Sequence, residues 1–177
     1  VIFMNRNIYI DGTYLSKNTS WHQDDSPWKA ENIAKIIRDN GLRPTSVCEI
    51  GCGAGDTTIA LAKNNPNKII IAIEVHRPSI TQLVEKAEKE KLTNIRIGFT
   101  DAVQILKERI EDESLTEIHA YFPDPWPKKR HHKRRLFRPE LINLMLQKLK
   151  PGGQIFIATD WQSYAEEILE NLPNSQV

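Results

Sequence analysis

The feature that most restricts the fold of this chain is an alternation of apolar, strand-like runs with amphipathic helical patterns. Five runs are almost continuously apolar and contain many β-branched residues, which is typical of strands buried on both faces of a sheet. These runs are Ser46–Ile50, Lys68–Glu74, Ile95–Phe99, Glu117–Phe122 and Gln154–Thr159. Helical spacing of apolar residues follows each run. The pattern predicts an α/β fold, with a doubly wound, mostly parallel sheet and helices on both faces.

Length and composition favour one folded domain. The 177 residues are enough for a sizeable core, so we expect a single domain over residues 1–177. Residues 1–45 would form an N-terminal segment with a helix that begins at Ser26-Pro27. No apolar run approaches the roughly 20 residues that span a bilayer, and the N-terminus lacks a signal-peptide pattern. The expectation is a cytoplasmic protein without a membrane partner.

The cysteine content argues against a disulfide scaffold and against a metal site. Cys48 and Cys52 are the two cysteines of the chain, and no cluster of His and Cys residues stands near them. Cys48 lies in an apolar run, where a thiol usually behaves as a small buried hydrophobic group. No metal ion is therefore expected.

Acidic residues mark the predicted carboxyl end of each strand. Open α/β sheets bind ligands beyond these ends, where the strand order reverses. The five acids in this position are Glu49, Glu74, Asp101, Asp124 and Asp160. Since parallel strands all end at the same edge of the sheet, we expect the five carboxylates to line one crevice.

A glycine-rich turn follows the first predicted strand and indicates a nucleotide-like ligand. Residues Gly51 to Gly55 read Gly-Cys-Gly-Ala-Gly, and glycine allows backbone to approach a ligand closely. Glu74, at the end of the next strand, can accept hydrogen bonds from both hydroxyls of a ribose. Asp101, followed by Ala102, can accept one from an adenine amino group. Together these residues predict an adenosine site.

Two adenosine cofactors are compatible with such a site, S-adenosylmethionine and a nicotinamide dinucleotide. The spacing Gly51-x-Gly53-x-Gly55 differs from the turn that packs a pyrophosphate on a helix N-terminus. A carboxylate at Glu49, directly before the glycines, would repel a diphosphate and would suit the ammonium of an amino acid. The residues therefore favour S-adenosylmethionine over a nicotinamide dinucleotide.

The segment after the fourth strand is strongly basic, although the whole chain has a net charge of only +1. It contains seven positive side chains and no intervening acid: Lys128, Lys129, Arg130, Lys133, Arg134, Arg135 and Arg138. His131 and His132 add charge below about pH 6.5. Such a block predicts contact with a phosphate backbone. A solvated charged surface is the alternative interpretation.

Taken together, these segments resemble the bacterial tRNA (guanine-N7)-methyltransferase family over about residues 46–170. The resemblance rests on the following stretches: Glu49–Gly53, Ile73–His76, Asp101-Ala102, Phe122–Lys128, Arg130–Arg135, Lys150–Gly153 and Ala158–Trp161. The Phe-Pro-Asp-Pro-Trp sequence followed by basic residues is the most specific of them. The resemblance implies a Rossmann-like methyltransferase fold that uses S-adenosylmethionine to methylate N7 of a guanine in tRNA.

The resemblance also implies roles for individual residues. Asp124 would be catalytic and would border the cofactor. The cofactor would be bound by Glu49, Gly51, Gly53, Glu74, Asp101, Ala102 and Asp124. The RNA substrate would be contacted by Lys128, Asp160, Arg130, His131, His132, Lys133, Arg134 and Arg135.

The two ends of the chain depart from the family pattern. Family members continue past the last predicted helix into two more strands, whereas this chain stops at Val177, so we expect those strands to be missing. The segment Gly12–Ile37 is more similar to that of other S-adenosylmethionine methyltransferases. A methyltransferase acting on a small molecule, or a catalytically impaired RNA-binding relative, are therefore the alternatives. The sequence does not separate a monomer from a homodimer.

The chemistry expected at Asp124 needs no general base. N7 of guanine carries a lone pair and no proton, so the protein has to supply position and electrostatic stabilisation. Pro123 and Pro125 restrict the backbone on both sides of Asp124. A stiffly held carboxylate can accept hydrogen bonds from the Watson–Crick edge of guanine. Trp126 would either stack on the extruded base or cover the core.

Overall fold

The computed structural model of the chain describes residues 2–3 and 46–172. These residues form six strands, five α-helices and one 3-10 helix. In chain order the elements are β1 (Ile2–Phe3), β2 (Ser46–Ile50), α1 (Asp56–Asn64), β3 (Ile69–Glu74), α2 (Arg77–Lys89), β4 (Ile95–Phe99), α3 (Ala102–Glu108), β5 (Leu115–Tyr121), a 3-10 helix (Lys129–Arg134), α4 (Pro139–Lys148), β6 (Leu149–Ala158) and α5 (Gln162–Asn171).

The strands form one sheet in the order β1-β6-β5-β2-β3-β4. Every neighbouring pair within it is parallel. From β2 the chain builds outward through β3 and β4, then crosses to the other side of β2 and builds outward again through β5 and β6. The direction of winding therefore reverses between β2 and β5, which places the ligand crevice at the carboxyl ends of these two strands.

Helices cover both faces of this sheet, as the sequence predicts. On one face, Val47 and Ile70 pack against Leu61 and Ala62 of α1, and Leu83 of α2 packs against Ala72. The other face carries a larger core, to which α3, α4 and α5 contribute. Its fully buried members include Leu106, Ile118, Ile142, Met145 and Tyr164. Each buried aliphatic side chain contributes about 1.5–3 kcal/mol, so this core accounts for much of the folding free energy.

Two features of the sheet differ from the prediction. Strand β6 begins at Leu149, earlier than the predicted start at Gln154, so Pro151–Gly153 lies inside the strand. Leu115 pairs with Leu149 but Glu117 pairs with Gln154, so the intervening residues form an irregular, bulged part of the strand. Gly152 has a φ of +79°, which glycine tolerates without strain. The second difference is β1, which pairs with the end of β6 and was not predicted.

The N-terminal segment over residues 1–45, apart from the two residues of β1, lies outside the described residues. The same holds for the predicted helix that begins at Ser26, and for residues 173–177 at the chain end. The single-domain assignment over residues 1–177 therefore stays a prediction. No helix within the described ranges is long and apolar enough to cross a membrane.

Candidate functional site

The five predicted acidic residues lie at one edge of the sheet. Glu49 is the next-to-last residue of β2, and Glu74 is the last residue of β3. Asp101, Asp124 and Asp160 follow β4, β5 and β6. Because all these strands run in the same direction, the five residues reach the same edge. This edge contains the point where the winding reverses.

The glycine turn after β2 combines positive backbone angles with open space. Gly51, Gly53 and Gly55 have φ values of +70°, +52° and +83°, a region that favours glycine. A Cβ atom on Gly51 or Gly53 would meet nothing within 4 Å, so a ligand can approach this backbone. Gly55 differs, because its Cβ would lie 2.4 Å from Leu83 Cδ1 in α2. The first two glycines therefore face the crevice, and the third permits close helix packing.

Glu74 organises the turn through backbone hydrogen bonds. One carboxylate oxygen accepts from the N–H of Gly53 at 2.9 Å. The other accepts from the N–H groups of Val75 at 2.7 Å and His76 at 2.9 Å. A carboxylate offers about four lone-pair positions, so acceptor capacity remains for a ligand hydroxyl. The residue joins the ends of β2 and β3 into one rigid unit.

Glu49 is a buried acid with no cationic partner among the described residues. It is 3% exposed, and the Thr58 hydroxyl donates a hydrogen bond to its carboxylate. Within residues 46–172 no lysine or arginine forms an ion pair with it. Burial raises the pKa of Glu49 to about 8; the Thr58 hydrogen bond works against this, and the charges of Asp56 and Glu74 add to it. Such a group either keeps its proton at neutral pH or binds a cation that enters the crevice.

Asp101 caps α3, as one oxygen of its side chain accepts from the N–H groups of Val103 at 2.9 Å and Gln104 at 3.4 Å. Its neighbour Ala102 is buried. Two exposed apolar side chains stand at the ends of the adjoining strands, Val75 at 64% and Phe99 at 55% exposure. Neither was predicted as a site residue, since Phe99 ends the apolar strand β4 and Val75 directly follows β3. Apolar surface beside carboxylates suits a flat, polar-edged ring such as a purine.

Asp124 lies in a segment whose backbone is held while its carboxylate is free. The side chain is exposed and contacts no other described residue through a hydrogen bond or ion pair. The N–H of Phe122 donates to the carbonyl of Ala158 at 2.7 Å, which ties the segment to β6. Phe122 and Trp126 have φ values of +51° and +45°, which are strained for bulky residues. Strain of this kind often accompanies functional sites. Asp160, half-buried, follows β6.

The basic segment folds into the 3-10 helix, which the sequence analysis did not predict. Lys128, Lys129, Arg130 and Lys133 are exposed. The guanidinium of Arg134 lies 4.9 Å from the centre of the Trp126 ring. His131 meets the same indole edge-on, and the two ring centres are 5.8 Å apart. Trp126 is half-buried and joins the basic surface to the Asp124 segment.

Arg135 is the buried residue of the run from Arg130 to Arg135, which was predicted to contact RNA. The residue as a whole is 2% exposed, and its side chain is the largest fully buried one among the described residues. Its Nε donates to the carbonyl of Pro125 at 2.8 Å, and Nη1 pairs with the Glu167 carboxylate. A guanidinium engaged inside the protein is unavailable to a phosphate. His132 is partly exposed and lies 3.8 Å from the same carboxylate.

A buried polar row beside Glu49 was also missed. The imidazole of His119 bonds to Glu117 Oε2 at 2.7 Å and to the Tyr121 hydroxyl on its other nitrogen. In the sheet register His119 is the partner of Glu49. Burial lowers the pKa of His119 and raises that of Tyr121. The signal was present in the sequence, since polar residues alternate at a period of two along β5.

Metal-ligating side chains do not converge in the described structure, where no group of three His, Cys, Asp or Glu residues could hold an ion. What converges is a set of carboxylates around open backbone, next to an exposed cationic helix. The arrangement can hold a ligand that combines a cationic group with a purine nucleoside. It can also bring a polyanion against that ligand.

Comparison with known proteins agrees with this geometry. A family model described as "Putative methyltransferase" matches residues 43–176. A tRNA (guanine-N(7)-)-methyltransferase of Nitrosomonas europaea is 48% identical over 136 residues, which are 77% of this chain and 61% of that protein. The enzyme of the same name from Streptomyces coelicolor is 42% identical over 152 residues, 86% of this chain and 55% of its own length. The chain thus spans a little over half of these relatives.

Solved structures show the same fold at low sequence identity. TrmN from Thermus thermophilus superposes with a TM-score of 0.65 at 20% identity, covering 84% of this chain and 41% of its own. An S-adenosylmethionine-dependent O-methyltransferase from Thermotoga maritima has a TM-score of 0.61 at 19% identity, covering 82% and 49% of the two chains. The predicted Rossmann-like methyltransferase fold is thereby confirmed. The chain belongs to the tRNA (guanine-N7)-methyltransferase family.

Proposed function

We propose that this chain transfers a methyl group from S-adenosylmethionine to N7 of a guanine in tRNA. One observation carries the proposal. Asp124, which makes no hydrogen bond or ion pair through its side chain with another described residue and is framed by two prolines, lies between an acid-lined crevice and an exposed basic helix. In a chain of this family, that position suits a carboxylate that meets both the methyl donor and the RNA.

The residues of the crevice fit the proposed cofactor. When bound, S-adenosylmethionine would supply a methyl group activated on a sulfonium. Glu49 would bind its ammonium, since a buried carboxylate without a cationic partner gains most from one. Gly51 and Gly53 would leave room for the amino-acid part, and Glu74 would accept from the ribose hydroxyls. Asp101 and Ala102 would lie at the adenine.

The basic helix would hold the RNA. Lys128, Lys129, Arg130 and Lys133 are exposed and would contact phosphates, which supplies affinity without reading sequence. Arg134 and His131 pack on Trp126 and would approach the RNA from there, with His132 beside them. The target guanine must leave its stack, which costs a few kcal/mol, and an aromatic platform offsets part of that cost.

At the reacting base, the chain would position and stabilise rather than move a proton. The lone pair of N7 attacks in line, and positive charge grows on the purine. Asp124 would accept hydrogen bonds from the guanine and stabilise that charge, with Asp160 in the same role on its other side. Removing one well-placed electrostatic contact of this kind typically costs about 100- to 1,000-fold in rate.

The test is methyl transfer from labelled S-adenosylmethionine to bulk tRNA, followed by nucleoside mapping for 7-methylguanosine. We expect transfer by the chain, and a loss of about 100-fold or more in Asp124→Asn with cofactor affinity retained. Glu111→Gln, an exposed acid at the opposite end of β5, is the control. Cofactor binding without any transfer to tRNA would refute the proposal. It would favour the small-molecule alternative or an impaired RNA-binding relative.

A further inference from the structure

Arg135 occupies an unusual place for a cation in a basic segment. Its side chain is 1% exposed, whereas its neighbours Lys133 and Arg134 are exposed. A charged group is buried only when its charge is paired and its hydrogen bonds are largely made. The contacts that justify this burial therefore indicate what Arg135 does.

Those contacts connect two parts of the fold. The guanidinium packs 4.8 Å from the centre of the Tyr164 ring and pairs with the Glu167 carboxylate, both in α5. From there Nε donates to the carbonyl of Pro125 at 2.8 Å. The remaining nitrogen, Nη2, is buried without a partner among the described residues. An orphaned N–H is costly, so hydrogen bonding alone does not explain this placement.

Helix α5 also anchors the chain just after Arg135. The N–H of Phe137 donates to the Tyr164 hydroxyl at 3.0 Å. The Asn171 side chain donates to the carbonyl of Phe137 at 3.1 Å. Arg135 and Phe137 both contact α5, so this helix fixes the position of the guanidinium that binds the Pro125 carbonyl.

Pro125 directly follows Asp124, and its carbonyl oxygen accepts the hydrogen bond from Arg135 Nε. The proline rings at positions 123 and 125 fix their own φ angles, and Pro125 restricts Asp124 to extended backbone conformations. Upstream, the hydrogen bond from Phe122 to Ala158 fixes the segment on β6. Downstream, the Arg135 bond fixes the Pro125 peptide. The carboxylate of Asp124 is free, yet its backbone is held at both ends.

We propose that Arg135 is a positioning residue that sets the location of Asp124 through the Pro125 carbonyl, with α5 as its support. The catalytic consequence rests on the proposed function above. The effect on the backbone at Asp124 does not. A purely stabilising role would instead lower the free energy of unfolding without changing the folded segment.

Three substitutions separate these roles. Arg135→Met removes both the charge and the Pro125 contact. Arg135→Lys keeps a charge for Glu167 but lacks the planar fork that reaches both partners. Glu167→Gln leaves the Nε contact with Pro125 in place. Arg109→Lys, an exposed arginine at the end of α3, is the control. Circular dichroism and thermal melting select variants and temperatures at which the protein is fully folded.

The first measurement is the backbone order parameter from ¹⁵N relaxation at the amides of Asp124 and Trp126, which needs no substrate. We expect this order parameter to fall from about 0.85 to below about 0.6 in Arg135→Lys and Arg135→Met, and to stay near that of the unaltered chain in Glu167→Gln and the control. An unchanged order parameter in a folded Arg135→Met protein would overturn the proposal. This result stands even if the chain proves unable to methylate tRNA, an outcome that refutes only the proposed function.

The second measurement is the rate of methyl transfer to tRNA. Because a displacement of about 1 Å can cost 100-fold, we expect kcat of Arg135→Lys to fall about 10- to 100-fold. The affinity for S-adenosylmethionine should change much less than kcat, since Glu49, Glu74 and Asp101 lie on other elements. Combining Arg135→Lys with Asp124→Asn should lower the rate no further than Asp124→Asn alone. Additive losses would overturn the proposed route through Asp124.

Discussion

Replacing Glu49 by Gln should remove a decrease in the free energy of unfolding that the wild-type residue causes as the pH rises. Burial raises the pKa of this carboxyl from 4.5 to about 8 in the folded protein. Between these values the folded chain keeps a proton that the unfolded chain releases. The contribution of protonated Glu49 to the free energy of unfolding is therefore fully present below pH 4.5 and is lost as the pH rises through about 8. Glutamine cannot ionise, and its amide oxygen can still accept from the Thr58 hydroxyl.

The size of the effect follows from the interval between the two pKa values. From 4.5 to about 8 the interval is about 3.5 units. One unit corresponds to roughly 1.4 kcal/mol, so ionisation of Glu49 costs the fold at most about 5 kcal/mol. Between pH 5 and pH 8, about 4 kcal/mol of this should be visible as a difference between the two proteins. That difference is a large part of the stability of a typical domain.

The assay is urea unfolding of the chain and of Glu49→Gln at steps from pH 5 to pH 8.5. Subtracting the two curves removes contributions from other titrating groups, including His119. Glu85→Gln, an exposed acid on α2, is the matched control and should run parallel to the unaltered chain. Parallel curves for Glu49→Gln as well would refute the reasoning, because Glu49 would then ionise as an ordinary surface acid does.

The same carboxyl links pH to cofactor binding under the proposed function. An ammonium bound at Glu49 favours the ionised form, so binding should release a proton at pH 7. Affinity for S-adenosylmethionine should accordingly increase towards pH 8, by up to tenfold per unit. Calorimetry in buffers of different ionisation enthalpy measures the released proton directly. In Glu49→Gln the affinity should be low and independent of pH over this range.

Two further predictions concern the turn and the basic helix. Gly55→Ala places a Cβ 2.4 Å from Leu83 Cδ1 at a φ of +83°, and should destabilise the fold by about 2–4 kcal/mol in urea unfolding; an unchanged midpoint would contradict the packing seen here. Lys133→Ala should weaken tRNA binding evenly across sequences and reduce the slope of log affinity against log salt by about one. A slope equal to that of the unaltered chain would show that Lys133 contacts no phosphate.

The strands show which parts of the fold can be predicted from local sequence patterns. Ser46–Ile50 and Ile95–Phe99 have the predicted bounds, because continuous apolar runs between polar turns specify buried strands well. The last strand was predicted to start at Gln154 and in fact starts at Leu149, because a Pro-Gly-Gly sequence is compatible with both a turn and a bulge. Only the pairing of Leu115 with Leu149 decides between them. That pairing is a long-range contact which no window of sequence contains.

The candidate site divides along a similar line. Glu49, Glu74, Asp101, Asp124 and Asp160 were selected from the sequence because parallel strands bring their carboxyl ends together, whatever the details of packing. The burial and protonation of these carboxyl groups could not be predicted in this way. Glu49 is a buried acid with a raised pKa, whereas Asp124 is exposed and its side chain makes no hydrogen bond or ion pair with another described residue. Burial depends on what other elements place around a residue, and that information is distributed over the chain.

The sequence by itself determined the α/β class, the edge of the sheet at which the candidate site lies and the presence of a strong local positive charge. These properties follow from periodicity, strand direction and residue type. Only the tertiary structure decided which of the positive side chains face solvent. Lys133 is exposed, while Arg135 is turned inward onto Pro125 and Glu167. The physical reason is that α5, about thirty residues further along the chain, supplies the carboxylate and the aromatic ring that make burial of one arginine possible.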